Sequence, residues 1–203
     1  MKIKSIILAL CAVIACSNSY AFDLKSLKNL NLGGIVNSLI STDNIEVTDI
    51  AGTWKVTGPG IVFKSENLLQ KAGGTAAEAT IESKLLKFYQ KFGLTDIVMT
   101  FDGTENFTMT LKNGHTINGT VTKGTKEGTM VFNFSALGSS KLTKVTAYVS
   151  KGTQLSITFD ISKLSNIITS VAKISGNSTI SSVSNLLGSY KGIYAGFKFD
   201  KVQ

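Results

Sequence analysis

From Gly52 onward, the chain contains repeated runs in which apolar side chains recur at every second position. Trp54 and Val56 begin the series. Ile97, Met99, Phe101 and then Phe107, Met109, Leu111 follow, and Ile117 and Val121 continue it. Met130, Phe132, Phe134, then Val145, Ala147, Val149, then Leu155, Ile157, Phe159 and finally Ile193, Ala195, Phe197, Phe199 complete it. A period of two marks a strand with one buried face, because successive side chains leave the backbone on opposite sides. The pattern predicts eight strands, the first ending at Gly58-Pro59-Gly60. Asp102-Gly103 and Asn113-Gly114 read as turn pairs, the second suited to the positive backbone angles of a tight hairpin.

Two stretches change period. Ile81, Leu85, Phe88 and Phe92 fall three and four apart on one helical stripe, with Gly93 directly after it as a helix end requires. Gly73-Gly74 separates that helix from a shorter piece near Asn67 to Ala72. Ile161, Leu164, Ile168, Val171 and Ile174 form a second stripe, ended by Gly176-Asn177, and Ile180, Val183 and Leu187 start a third. Before the strands, Leu24, Leu27, Leu30, Ile35, Val36, Leu39 and Ile40 suggest short amphipathic pieces in a helical and loop segment, 22–50. Ser41 to Asp49 reads as polar loop.

Eight strands in mostly sequential hairpins predict a mainly β fold with helical insertions. The expected form is an eight-stranded antiparallel barrel over 51–203, with helices inserted at about 65–92 and 160–188 to cap or flank it. Closure removes exposed strand edges. Eight strands enclose an interior that side chains nearly fill, or that holds one small ligand. An inverted barrel facing lipid would need strands of ~9–11 residues, longer than these runs, and would leave the apolar helices without a core to cover.

The first 21 residues read as an export signal. Lys2 and Lys4 precede the apolar stretch Ile6 to Ala15, and Ser19-Tyr20-Ala21 supplies small residues for cleavage. Val13-Ile14-Ala15-Cys16 is the alternative, a lipoprotein signal in which Cys16 is lipidated and becomes the first mature residue. Either reading places the protein outside the cytoplasm: periplasmic, outer-membrane-associated or secreted. Both cysteines, Cys11 and Cys16, sit in this leader, so a disulfide-stapled or zinc-held module is excluded. Loss of the leader leaves 19 lysines against 13 carboxylates, a net charge of +6, and the chain has no arginine. Arginine's planar fork is the preferred reader of phosphates and base edges, and the lysines are dispersed, so no nucleic-acid partner is expected. A membrane enters only through the lipid anchor.

Gly52-Thr53-Trp54 at the start of the first strand is the Gly-x-Trp pattern of lipocalins. Gly52 to Pro59, Val62-Phe63-Lys64-Ser65, Asn67-Leu68-Leu69 and Lys71-Ala72-Gly73-Gly74 with the following helix resemble a lipocalin-like family of exported Bacteroidota proteins, itself labelled a domain of unknown function. The resemblance covers roughly Gly52 to Lys201. It implies a lipocalin-like barrel with an inserted helical segment, an extracytoplasmic location and no established ligand. The arginine that lipocalins place on a late strand against the tryptophan has no counterpart here.

Catalysis requires a nucleophile with its base, a carboxylate pair or a metal cluster. The one histidine, His115, follows the Asn113-Gly114 turn and reads as an exposed hairpin residue. Asp102-Gly103-Thr104-Glu105-Asn106 is too short for an EF-hand loop and fits a turn. Asp43, Glu46 and Asp49 read as solvated loop carboxylates, as do Glu78 and Glu82 on a helix. No enzymatic activity, cofactor or metal is expected. The expected function is binding of a small hydrophobic ligand, such as a lipid, inside the barrel. Its candidate lining is Trp54, Phe63, Phe101, Phe107, Met109, Phe132, Phe134, Phe159 and Phe197. The alternative is a non-enzymatic cell-envelope protein with a filled core, acting through surface contacts with protein or glycan. Oligomeric state is open.

Overall fold

The computed structural model describes residues 44–64, 75–135, 144–174 and 193–202, with 75–78 as backbone only. The leader with Cys16, the pieces expected between Leu24 and Ile40, and those near Asn67 to Ala72 and Ile180 to Leu187 lie outside the described residues. Eight strands form: β1 (Gly52–Phe63), β2 (Val98–Phe101), β3 (Asn106–Thr110), β4 (Thr116–Lys123), β5 (Thr129–Phe134), β6 (Lys144–Lys151), β7 (Leu155–Asp160) and β8 (Ile193–Lys201). Each pairs antiparallel with its sequence neighbour, and β1 pairs with β8, closing the sheet on itself. Helix α1 (Thr75–Lys91) lies between β1 and β2, and α2 (Ile161–Ile174) between β7 and β8.

The alternation resolves with its apolar side inward. Trp54, Val56, Phe101, Phe107, Val121, Phe132, Ala147, Ile157 and Phe199 belong to one continuous core, while Lys55, Thr100, Asn118 and Thr146 are exposed between them. The break in β4, where glycine stands between Ile117 and Val121, has a steric cause. A Cβ on Gly119 would lie 2.4 Å from Phe107 Cζ and 2.4 Å from the Asn133 carbonyl oxygen, so the Phe107 ring occupies the room that a side chain there would need.

β1 departs from expectation by running through Gly58-Pro59-Gly60 to Phe63. A register shift between Val56 and Gly58 absorbs one residue, after which Pro59 pairs with Phe197 and Gly60 with Gly196. Past Lys55, β1 no longer pairs with β2, so this stretch has a ladder on one side only and tolerates proline's missing N–H. The glycines serve close approach. A Cβ on Gly60 would come within 2.9 Å of Ser156 Oγ, and one on Gly58 would touch Leu86 of α1.

The two ends of the barrel are closed differently. At the end where β1 begins, a 3-10 turn, Val47–Ile50, brings buried Ile50 against the core. The Asp49 carboxylate accepts a 2.8 Å bond from the Glu46 N–H, Glu46 pairs with Lys123, and the Lys151 ammonium donates to the Asp49 carbonyl. The carboxylates expected to be free in solvent here, Glu46 and Asp49, therefore fasten the turn. At the opposite end, α2 starts from β7. The Asp160 carboxylate caps it, accepting from Ser162 N (3.0 Å) and Ser162 Oγ (2.7 Å). Its last residue, Ile174, offers its carbonyl to Asn113 Nδ2 at 3.3 Å, on the β3–β4 turn. β7 and β3 stand four strands apart in a ring of eight, so α2 crosses the barrel mouth from wall to wall.

Candidate functional site: the barrel interior

Trp54 is buried at the 3-10 end, its indole N–H donating to the Ile50 carbonyl at 2.8 Å. Lys201, from the last strand, stands over the ring with its ammonium 5.7 Å from the centroid. A lysine thus occupies the side of the tryptophan that the resemblance assigns to arginine, and a cation over the indole face is favourable.

All nine residues expected to line a cavity are buried, but they are not all at one place. Phe101, Phe107, Phe132, Phe134 and Phe159 form a ring cluster around Phe132, with centroid separations of 5.3 to 6.4 Å in mostly edge-to-face or tilted geometry. Such contacts are those of close-packed aromatic cores. Trp54 sits apart at the closed end, and Phe63 at the far end of β1. Among the described side chains lie two adjoining voids of about 10 Å³ each. Met109, Phe132, Phe134, Phe159 and Phe197 line the first; Met109 and Phe197 also reach the second. A void of that size matches about one water, and its lining offers no polar partner to hold one. Pockets for small organic molecules run to ~300–1,000 Å³.

Several residues around these voids are absent from the expected lining. Met99 and Phe199 were legible as inward positions of their strands. Ile167 was not. It lies off the expected stripe of α2, yet it is buried and borders both voids, with Val171 one turn on bordering the second. Helix α2 thus sends an isoleucine and a valine into the mouth it spans. Tyr89 of α1 is a similar omission: fully buried, its hydroxyl donates to the Gly196 carbonyl at 2.7 Å and its ring packs 5.3 Å from Phe197. Burial pushes that hydroxyl far above the ordinary tyrosine range.

Several polar groups among the described residues brace turns and helix ends. Asp102 Oδ1 accepts from the N–H and hydroxyl of Thr104 (both 2.8 Å) and from Asn106 N (3.2 Å), and its Oδ2 accepts from Asn106 Nδ2 (2.8 Å). These bonds, the Asn106 amide first, hold its carboxyl down to about 2. The segment is a turn, as its length suggests. Glu82 is not solvated as expected; it pairs with Lys198 of β8. On the outer wall, Tyr148 and Tyr194 meet edge to face at 4.7 Å, and Lys64 lies 4.9 Å over the Tyr194 ring while bonding Asp160 at 2.9 Å. Partial burial opposes ionisation of Asp160, but the Lys64 ammonium and the Ser162 bonds outweigh it and leave its carboxyl below the usual range. His115 is exposed beside its turn. Among the described residues no group of three or more His, Cys, Asp or Glu side chains could hold a metal ion, and no helix is long and apolar enough to cross a membrane.

The described residues thus form an eight-stranded antiparallel ring with a buried tryptophan at one end. The pattern of the lipocalin-like domain (DUF4923) matches residues 24–201. The chain belongs to this family. The lipocalin-like domain therefore takes in residues ahead of β1 as well as the whole ring. Neither a curated protein nor a solved structure matches the chain. The family description assigns no function.

Proposed function

We propose that this lipocalin-like domain is an exported, non-enzymatic envelope protein whose barrel is a filled scaffold and whose work is done by its outer surface. The observation that carries this reading is the size of the voids among Met99, Met109, Phe132, Ile167 and Phe197, about 10 Å³ each. A fatty-acyl chain entering there would have to displace close-packed rings and the two α2 side chains in the mouth, at a cost of the kind that overpacking a core incurs. The leader supports export. The Asp102 and Glu46 bonding patterns support structural roles for carboxylates that an enzyme would need elsewhere.

The test is native mass spectrometry of the chain after gentle isolation from the compartment to which its leader sends it. The bare polypeptide mass is expected, with no saturable uptake of a fluorescent fatty acid afterwards. A stoichiometric apolar adduct would return the barrel interior to the role of ligand site.

A further inference from the structure

The charges of the barrel are sorted by end. Helix α1 presents Lys84, Lys87 and Lys91 three and four residues apart on one exposed stripe, α2 presents Lys163 and Lys173, and the β3–β4 turn presents Lys112. With strand ends included, eight lysines of the described residues stand at the helix-bearing end against three carboxylates, Glu78, Asp96 and Asp160, a net +5. The tryptophan end carries five lysines against six carboxylates, a net −1. The remaining pair, Glu82 with Lys198, cancels on the wall.

Three of these cationic elements converge on one place. The Lys112 side chain packs against Gly93 just beyond α1 and pairs with Asp96 at 3.3 Å. The neighbouring Asn113 holds the last carbonyl of α2. Lys91, Lys112 and Lys173 are thereby gathered around a single hairpin turn. Lys91 and Lys173 form no ion pair with any residue whose side chain is described, as is also true of Lys84, Lys87 and Lys163, so those side chains do not cancel these charges. Half-buried Ile161 and Ile174 mark the two ends of α2 between core and solvent.

We propose that the helix-bearing end docks on the anionic face of a lipid bilayer through the lysines of α1, α2 and the β3–β4 turn. This rests on the reading that the protein works through its surface, and it names the partner. Charge complementarity selects an anion, and the form of the cationic array selects which kind. Lysine ammoniums are strongly hydrated point charges without arginine's fork. Here they are spread across helix faces instead of converging on a pocket, which suits a delocalised sheet of headgroups rather than one small anion. Long lysine stems also let the charge reach the headgroup level while the helix keeps its apolar side on the barrel.

The test is co-sedimentation of the leaderless chain with vesicles of phosphatidylcholine alone, or of phosphatidylcholine with phosphatidylglycerol. Binding is expected only to the anionic vesicles, and it should fall steeply as added salt shortens the screening length from ~30 Å to a few Å. Two variants of equal net charge separate placement from total charge. K91Q/K173Q should weaken binding about fivefold per lysine, about thirtyfold in all, whereas K55Q/K126Q at the other end should leave it within about twofold. Equal losses in both variants would overturn the proposal, as would equal binding to neutral vesicles. So would binding to heparin with none to anionic vesicles, which would reassign the surface to a soluble polyanion. Failure here leaves the filled-barrel reading standing, while an apolar adduct in native mass spectrometry would sink that reading without touching this measurement.

Discussion

Replacing Phe132 by alanine removes the ring at the centre of the lumen and puts a number on how tightly that lumen is packed. Phe132 has no exposed surface, and four other rings lie around it, those of Phe107, Phe159, Phe134 and Phe101 at 5.6, 6.0, 6.3 and 6.4 Å. Loss of its burial removes about 2 kcal/mol of transfer free energy. A residual hole of roughly 80 Å³, at about 24 cal/mol per Å³, adds about 2 kcal/mol more. The expected cost is therefore about 4 kcal/mol, a large share of the ~5–15 kcal/mol that stabilises a domain. Urea unfolding followed by the fluorescence of Trp54, the only tryptophan in the chain, should shift its midpoint downward by about 2 M. Neighbouring rings edge-locked on several sides collapse poorly, so the hole should persist. Xenon should then occupy the hole in crystals of Phe132→Ala and not in the parent. A cost below about 1 kcal/mol would refute the reasoning, since it would mean that the ring was not close-packed and that the lumen had slack to begin with.

Other expectations follow from individual contacts. Gly119→Val drives a branched side chain into Phe107 and the Asn133 carbonyl; thermal unfolding should register a loss of about 3 kcal/mol or more, or no folded protein. Tyr89→Phe deletes the bond to the Gly196 carbonyl and should cost about 1 kcal/mol by denaturant titration, with the ring packing retained. Asp102, whose carboxyl sits at about 2 against an ordinary 3.8, contributes stability that is complete above the ordinary value and lost as pH falls toward about 2. Comparison of Asp102→Asn with the parent between those values should show the parent losing stability over that window and the variant losing less. Above it, the variant should be the less stable of the two.

The strands were legible because burial is one-sided: inside a closed ring the core face of each strand must be apolar and the outer face wetted, so a period of two survives nearly intact. Where the pattern failed, tertiary packing had replaced a side chain or a rule. Gly119 looks like a gap in β4 only because Phe107 fills it from the neighbouring strand. Gly58-Pro59-Gly60 carries every local mark of a turn, yet it stays in β1 because one edge is unpaired and helix α1 packs against the bare glycine. The lumen was harder to read. Alternation names the residues facing inward but not the volume left among them, and that volume is decided by Ile167 and Val171 reaching in from a helix distant in sequence from most of the barrel wall. The cationic end was illegible for a related reason. Lysines spread evenly along the sequence become an assembled patch only when the β3–β4 turn gathers the ends of α1 and α2.

The filled interior is tested most directly by a crystal of the chain pressurised with xenon, an atom that enters dry apolar holes and reports their position and occupancy. The account predicts no xenon among Met109, Phe132, Ile167 and Phe197. Ordered xenon there, or a stretch of apolar density retained from the cell, would contradict it.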